Sequence, residues 1–246
     1  MQTENYLTKS NQTVPQNAER PFAYGLCASK LFWVFVLASV LGFAVETFWC
    51  WIHTGHFEMR TALVVGMFIP VYGLGAVAMT VCLYPLSNAR FLWIFLGSAL
   101  IGAAVEYGCS LFQELAFGTV SWDYSDMSWN LGGRVNLRYS FFWGILGVVW
   151  LKAWYPALSR GIERIPKRIG RPLTGALAVL LVLDMMLSAA AVARKTQRHE
   201  GFPPANSFEV FLDRTFSDRY LDWVYPNMEF VQELDVQKGE SLPATQ

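Results

Sequence analysis

The sequence predicts an all-α fold, a polytopic bundle of about five transmembrane helices. Hydrophobic residues make up 54% of the 246 residues, charged residues only 15%, and the apolar residues occur in long blocks. A soluble domain usually carries about a quarter charged residues, and a helix needs about 20 apolar residues to cross a bilayer. The formal net charge is zero, so the composition does not indicate a nucleic-acid partner.

Five apolar blocks are long enough to span the bilayer. The first carries one charge, Glu46, Pro70 interrupts the second, and Asp184 lies inside the fifth. Residues 1–30 form a polar N-terminal segment and residues 194–246 form a tail. Few soluble folds could bury five such blocks, so we assign residues 31–193 to the bundle. The predicted spans are about 31–52, 61–84, 91–117, 139–158 and 172–193.

The distribution of Lys and Arg between the spans predicts the orientation. Cytoplasmic loops carry an excess of these residues, and the densest basic cluster in the chain is Arg160–Arg171. If this segment is cytoplasmic, the N-terminus is cytoplasmic too. The loops around 55–60 and 118–138 and the tail then lie outside. Three basic residues at the start of the tail count against this topology: Arg194, Lys195 and Arg198.

The tail contains an amphipathic segment over about 208–225. One face of the predicted helix is apolar and the other is charged, so the segment would lie on the membrane or pack over the bundle. The apolar face comprises Phe208, Phe211, Leu212 and Phe216, and the charged face Asp213, Arg214 and Asp218.

A weak duplication relates the two halves of the bundle. Gly42-Phe-Ala-Val-Glu46 in the first span matches Gly102-Ala-Ala-Val-Glu106 in the third, 60 residues later. An arginine, Arg60 or Arg134, then precedes a helix that contains a pair of glycines. Both halves start on the same side of the membrane, so the pattern predicts a parallel internal repeat of a two-helix unit.

This repeat predicts a polar cluster in the outer half of the bundle. Two carboxylates and two guanidiniums are expected at about the same depth in the membrane: Glu46, Glu106, Arg60 and Arg134. Placing one charged side chain in hydrocarbon costs from about 2.5 kcal/mol upward, so each acid should face a partner, water or the bundle interior. The acids could pair with the arginines and hold the helices together, because a guanidinium matches a carboxylate in bidentate fashion. The same charges could instead form a ligand-binding or catalytic site.

Further polar residues follow in the loop after the third span. Asp123, Tyr124 and Asn130, together with Arg134, could form a polar cup over the bundle. The alternative is an interfacial aromatic belt with turn residues. Asp184 in the fifth span either pairs with a polar group of a neighbouring helix or takes part in a proton relay.

The sequence predicts no metal site and no cofactor. His53 and His56 follow Glu46, but a third and a fourth ligand are missing from the pattern. The chain contains no GxxxxGK[ST], GxSxG or HExxH motif, so it carries no ATPase or hydrolase motif and whether it is an enzyme stays open.

Several distinctive motifs occur in the bundle region: Gly42-xxx-Glu46, Pro70-x-Tyr72-Gly73-x-Gly75, Trp122-Asp123-Tyr124-Ser125 and Asn130-x-x-Gly133-Arg134. In these motifs the sequence resembles the CmpB-like family of type IV ABC-transporter permeases. The resemblance covers residues 30–155 and departs at Met59-Arg60-Thr61, where an Asn-Arg-Gly is common in the family. It implies a multi-pass, permease-like protein of the bacterial cytoplasmic membrane. It supplies no substrate, and Arg160–Arg171 is the only candidate loop for docking a separate ATPase subunit.

Three functional hypotheses follow. In the first, the protein is a permease-like transport component whose Glu/Arg cluster lines a polar site, driven by a separate ATPase or an ion gradient. In the second, it is a membrane-embedded enzyme acting on lipids or envelope precursors, with an acid as general base and an arginine holding a phosphate or carboxylate. In the third, it is a scaffold without chemistry. The sequence defines neither a substrate nor an oligomeric state.

Overall fold

The computed structural model describes residues 21–234 and 236. Most of the predicted polar N-terminal segment and the last ten residues lie outside this range. The helices are α1 (Ala28–Thr54), α2 (Pro70–Leu83), α3 (Phe91–Phe117), α4 (Leu137–Val149), α5 (Tyr155–Glu163), α6 (Lys167–His199), α7 (Ser207–Thr215) and α8 (Asp218–Val224). A 3₁₀ turn, Tyr84–Leu86, follows α2, and a π-helical turn, Trp150–Trp154, joins α4 to α5.

Four helices in the described part of the chain are long and apolar enough to cross a membrane: Ala28–Thr54, Phe91–Phe117, Leu137–Glu163 and Lys167–His199. At 1.5 Å per residue, a helix of 27 residues is about 40 Å long, which exceeds the hydrocarbon thickness of about 30 Å. The apolar helix Pro70–Leu86 is shorter. The all-α, polytopic prediction is confirmed.

The second predicted span, 61–84, is helical only from Pro70 onward. Proline fixes its own φ, is tolerated at the first position of a helix, and disfavours the helical conformation of the preceding residue. Accordingly, Ile69 is extended, with φ −121° and ψ 95°. Residues 61–69, which we name the unwound segment, have no helical structure. The predicted helix over these nine residues is therefore wrong.

The bundle contains two tightly packed helix pairs, α1 with α2 and α3 with α4. A Cβ added at Gly42 would lie under 3.0 Å from the Tyr72 side chain, and one at Gly102 would lie equally close to Trp143. Glycine therefore permits each pair to approach closely. Both contacts join a first helix to an aromatic residue near the start of the second.

A second contact also recurs in the two pairs. Gly73 of α2 lies against Phe35 of α1, and Gly144 of α4 lies against Phe95 of α3. Phe35 and Phe95 are 60 residues apart, as are Gly42 and Gly102, whereas the partners on α2 and α4 are 71 apart. The internal repeat stays a prediction, and these matching contacts favour it.

A buried ion pair closes one end of the bundle. Lys30, near the start of α1, is fully buried. Its Nζ lies 2.7 Å from Glu163 Oε1 at the end of α5 and donates to Ser159 Oγ at 2.6 Å. The first and third long helices are thereby joined at the end that carries the turn between α5 and α6.

The tail packs over the opposite end as two short helices, α7 and α8, instead of the single helix predicted over 208–225. Ser217 interrupts the helix and caps α8 by accepting from the Tyr220 N–H. Leu212, Phe216 and Leu221 pack on Ala191 of α6 and on Val64 of the unwound segment. Leu212 and Phe216 of the predicted apolar face thus pack over the bundle, whereas Phe208 and Phe211 of the same face stay exposed.

Ion pairs fasten the tail to the end of α6. Arg194 is only 2% exposed, and its Nε and Nη2 donate to the two carboxylate oxygens of Asp213 at 2.9 and 3.0 Å. The Arg194 hydrogen bonds hold the pKa of Asp213 below its usual range. Lys195 pairs with Asp222 at 2.5 Å and Arg198 with Asp218 at 2.6 Å. The basic residues that counted against the predicted topology therefore bind the tail's own acids.

Four two-residue strands organise this end. β1 (Thr119–Val120) pairs antiparallel with β4 (Glu229–Phe230), and β2 (Asn130–Leu131) pairs antiparallel with β3 (Val135–Asn136). The β1–β4 pairing places the tail and the loop between α3 and α4 at the same end of the bundle.

Candidate functional site

Glu106 is a carboxylate inside the bundle with two hydrogen-bond donors. Its side chain belongs to α3 and is only 7% exposed. One oxygen accepts from the Tyr124 hydroxyl at 3.0 Å, and the other accepts from the Trp143 indole N–H at 3.2 Å. The loop after α3 and the helix α4 thus both reach the same acid.

Glu46 occupies the matching position on α1 and is half-buried. It accepts a hydrogen bond of 2.5 Å from the Tyr72 hydroxyl of α2. The rings of Tyr72 and Trp143 lie against each other, with centroids 5.3 Å apart. The two acids are therefore linked through a pair of touching aromatic donors, and we name Glu46, Glu106, Tyr72, Tyr124 and Trp143 the carboxylate centre.

The arginines expected to pair with these acids bind other carboxylates. Arg60 Nη2 lies 2.9 Å from Glu58 Oε2, and Arg134 Nη1 lies 2.5 Å from Glu114 Oε2. Glu58 is two residues from Arg60, and Glu114 lies two turns beyond Glu106, closer to the loop that carries Arg134. The predicted Glu46–Arg60 and Glu106–Arg134 pairs are thus wrong. Each guanidinium instead pairs with an acid that lies nearer to it.

The two arginines nevertheless occupy corresponding places. Arg60 Nη2 lies 3.3 Å from Cys50 Sγ, and Arg134 Nη1 lies 3.4 Å from Ser110 Oγ. Cys50 and Ser110 are 60 residues apart, and each follows the acid of its helix by four residues, or roughly 6 Å along the axis. The arginines form a rim about one helical turn outside the carboxylate centre.

Of the predicted polar cup, Tyr124 joins the centre, whereas Asp123 and Asn130 shape the loop. Asp123 Oδ1 accepts from the Ser125 N–H at 2.9 Å and from its hydroxyl at 2.6 Å. Asn130 donates to the Met127 carbonyl at 2.7 Å and accepts from the Gly133 N–H at 3.0 Å. These bonds fix the turn from which Tyr124 reaches Glu106.

Asp184 binds the backbone of the unwound segment. Its Oδ1 accepts from the Val65 N–H at 3.1 Å, and Ser188 Oγ, one turn further along α6, accepts from the Val64 N–H at 2.9 Å. On the tail side, the Tyr220 hydroxyl donates to the Val64 carbonyl at 3.0 Å. Non-helical backbone within a membrane bundle needs such partners. The geometry corresponds to the pairing interpretation of Asp184, with backbone groups as its partner.

Removing the Ser188 hydroxyl should destabilise the protein. Ser188→Ala leaves the Val64 N–H without its acceptor in a buried place, which costs about 1–3 kcal/mol. We expect a lower melting temperature of the purified protein in detergent and faster proteolysis of the unwound segment. Ser128→Ala, at an exposed hydroxyl in the loop after α3, is the control and should change neither. Equal melting temperatures for the two variants would contradict this assignment.

The sequence analysis missed the aromatic donors Tyr72 and Trp143 and the acids Glu58 and Glu114. A signal for the donors was available, since Tyr72-Gly73 and Trp143-Gly144 are the same aromatic–glycine pair in the two halves. Aligning these pairs places each aromatic ring beside the glycine of its partner helix. No such signal marks the two acids, whose roles depend on how the loops fold.

The bundle and its buried carboxylates define a multi-pass helical membrane protein. Residues 33–189 match the family described as "Putative ABC-transporter type IV", the CmpB family, and this match covers more than half of the chain. The chain therefore belongs to this family, as the sequence motifs indicated. A search of curated proteins and a search of solved structures each found no match.

Proposed function

We propose that the protein is a permease-like transport component of the bacterial cytoplasmic membrane, with its N-terminus in the cytoplasm. One observation carries the proposal beyond the family: two acids from matching positions of two helix pairs are linked through touching aromatic donors. Their described partners, Tyr72, Tyr124 and Trp143, are all neutral donors. The carboxylate centre would be the polar contact for the transported solute.

The chemistry of the centre favours a cationic group or a proton as its ligand. An isolated carboxylate is costly to bury, so it either takes up a proton or binds a positive charge. The rim arginines do not meet this need, because each is already bound to Glu58 or Glu114. A narrow apolar cavity lined by Gly42, Tyr72 and Trp143 adjoins the centre. It provides room beside Tyr72 and Trp143 for a small apolar group.

The energy source must lie outside this chain or in an ion gradient. The chain has no nucleotide-binding motif, and the family is that of an ABC transporter. A separate ATPase subunit would then be recovered when the protein is purified from its own membranes in mild detergent and analysed by mass spectrometry. Recovery of no ATPase would leave the ion gradient as the driving force.

The enzyme hypothesis receives less support from the same geometry. A phosphate-holding arginine should carry a positive charge that no acid of the chain neutralises, but Arg60 and Arg134 both pair with acids of the chain. The burial of Glu106 under two donors limits the access of a substrate and of a solute alike, so the arginine pairs decide between the two hypotheses. The transport proposal therefore fits the contacts better.

Carboxylate-to-amide substitutions test the proposal. Glu46→Gln and Glu106→Gln both keep the shape of the side chain and remove the negative charge. Glu46→Gln keeps the acceptor oxygen for Tyr72. Glu106→Gln keeps one for Tyr124 and loses the bond from the Trp143 N–H. In a thermal-shift screen of cationic solutes on the purified protein, a ligand that stabilises the unmodified chain should bind at least about tenfold more weakly to either variant. Glu200→Gln, at an exposed position after α6, is the control.

Two results would contradict the proposal. If the amide variants lose abundance in the membrane while the control does not, the carboxylates serve the packing of a scaffold. If they bind every stabilising solute as tightly as the unmodified protein, the centre is not the solute contact.

A further inference from the structure

The turn between α5 and α6 carries four exposed guanidiniums. Arg160 and Arg164 lie at the end of α5, and Arg168 and Arg171 lie in the first two turns of α6. None of the four side chains makes an ion pair or a hydrogen bond with any of the residues that the structure describes. We name these four residues the arginine patch.

Within residues 21–234, the acids near this turn do not neutralise the patch. Glu163 stands between Arg160 and Arg164, but it binds the buried Lys30 at 2.7 Å. The first turn of α6 contains no acidic residue. The acids in the described part of the chain therefore leave the positive charge of the patch uncompensated.

The patch lies at the level where the hydrocarbon core of a bilayer begins. The apolar stretch of α6 starts at Pro172, directly after Arg171. Ile169 and Leu173, one turn apart on the same helix, are 57% and 44% exposed. α6 has 33 residues and is thus about 50 Å long, so it extends beyond a hydrocarbon core of about 30 Å.

We propose that the arginine patch is a binding site for anionic phospholipids, with the headgroup phosphate on the guanidiniums and acyl chains along Ile169 and Leu173. A guanidinium binds phosphate oxygens through two parallel N–H donors. Each basic residue near an anionic lipid surface strengthens binding by roughly fivefold.

An anionic lipid fits this surface better than an acidic protein does. A protein partner that approaches from the aqueous side could cover the guanidiniums. It could not cover Leu173, which lies beyond them toward the hydrocarbon. A phospholipid has the anion and the apolar chain in this order.

The test compares two fourfold variants of the full chain. R160Q/R164Q/R168Q/R171Q removes the patch, whereas R90Q/R138Q/R214Q/R219Q removes four other exposed arginines and the same charge. Both are purified, delipidated in detergent and titrated with phosphatidylglycerol or phosphatidylcholine, and bound lipid is counted by native mass spectrometry. We expect the patch variant to bind phosphatidylglycerol at least about tenfold more weakly, with phosphatidylcholine unaffected and the control unchanged.

Other results would overturn the proposal. Equal loss in both variants would show that net charge, and not this patch, attracts the lipid. Competition by inorganic phosphate at concentrations equal to those of the lipid would identify a soluble anion as the ligand. Unchanged lipid binding, combined with loss of a co-purifying acidic protein, would identify a protein-docking surface. If the fourfold patch variant melts below the unmodified protein in phosphatidylcholine, R164Q/R168Q replaces it, with R214Q/R219Q as its control.

Discussion

Substitution of Gly102 by valine is expected to prevent the closure of α3 on α4. Even a single Cβ at this position would lie under 3.0 Å from the inner atoms of the Trp143 side chain, which cannot swing away as the end of a flexible chain could. Overpacking costs about 1–3 kcal/mol and sometimes more, and we expect about 3 kcal/mol or more here. Trp143 must also give up its bond to Glu106.

Gly108 provides a matched control in the same helix. It is six residues further along α3, and nothing lies within 4 Å of a Cβ built on it. Gly108→Val introduces the same β-branched side chain, so it has the same effect on helix propensity. The yield of monodisperse protein in mild detergent and the melting temperature should fall for Gly102→Val only. Similar losses for both variants would show that the helix backbone, and not the contact with Trp143, is responsible.

Substitution of Glu163 by alanine is expected to have an effect of similar size at the other end of the bundle. It leaves the ammonium of Lys30, which is fully buried, without its carboxylate. Removing one member of a buried ion pair typically costs about 3–5 kcal/mol. The melting temperature should fall strongly, because Ser159 alone remains to accept from the Lys30 side chain.

A double substitution separates two effects, the loss of the ion pair and the burial of an unpaired charge. Lys30→Met with Glu163→Leu removes both charges, and we expect it to recover most of the stability, since apolar replacements of buried pairs are often neutral or stabilising. Glu200→Ala, at an exposed acid after α6, is the control. A double variant as unstable as Glu163→Ala would mean that the charges themselves are not the cause.

The apolar blocks predicted long apolar helices because the gain from placing apolar residues in lipid is summed over about 20 residues, so that a few polar residues do not remove the signal. The third predicted span, 91–117, coincides with α3. The helix predicted over residues 61–69 is absent for two reasons. Pro70 disfavours a helix before it, and hydropathy does not distinguish a helix from a non-helical apolar segment whose backbone is bound by another helix. Asp184 and Ser188, which bind that backbone, come about 120 residues later.

The sequence predicted the two acids of the candidate site, but it predicted the wrong acidic partners for the two arginines. The repeated GxxxE pattern marked Glu46 and Glu106, which the structure brings together through Tyr72 and Trp143. Which acid a guanidinium binds depends on the path of the loop that carries it, and sequence spacing does not determine that path. Arg134, for example, follows a turn built by Asp123 and Asn130 and reaches Glu114.

The unwound segment also constrains the order in which the protein can be made. The acceptors for the Val64 and Val65 N–H groups lie 124 and 119 residues further along the chain. When the first helix pair leaves the ribosome, α6 has not been synthesised, so these groups have no acceptor in the lipid. The backbone of the unwound segment therefore acquires these two acceptors only after the last span has been inserted.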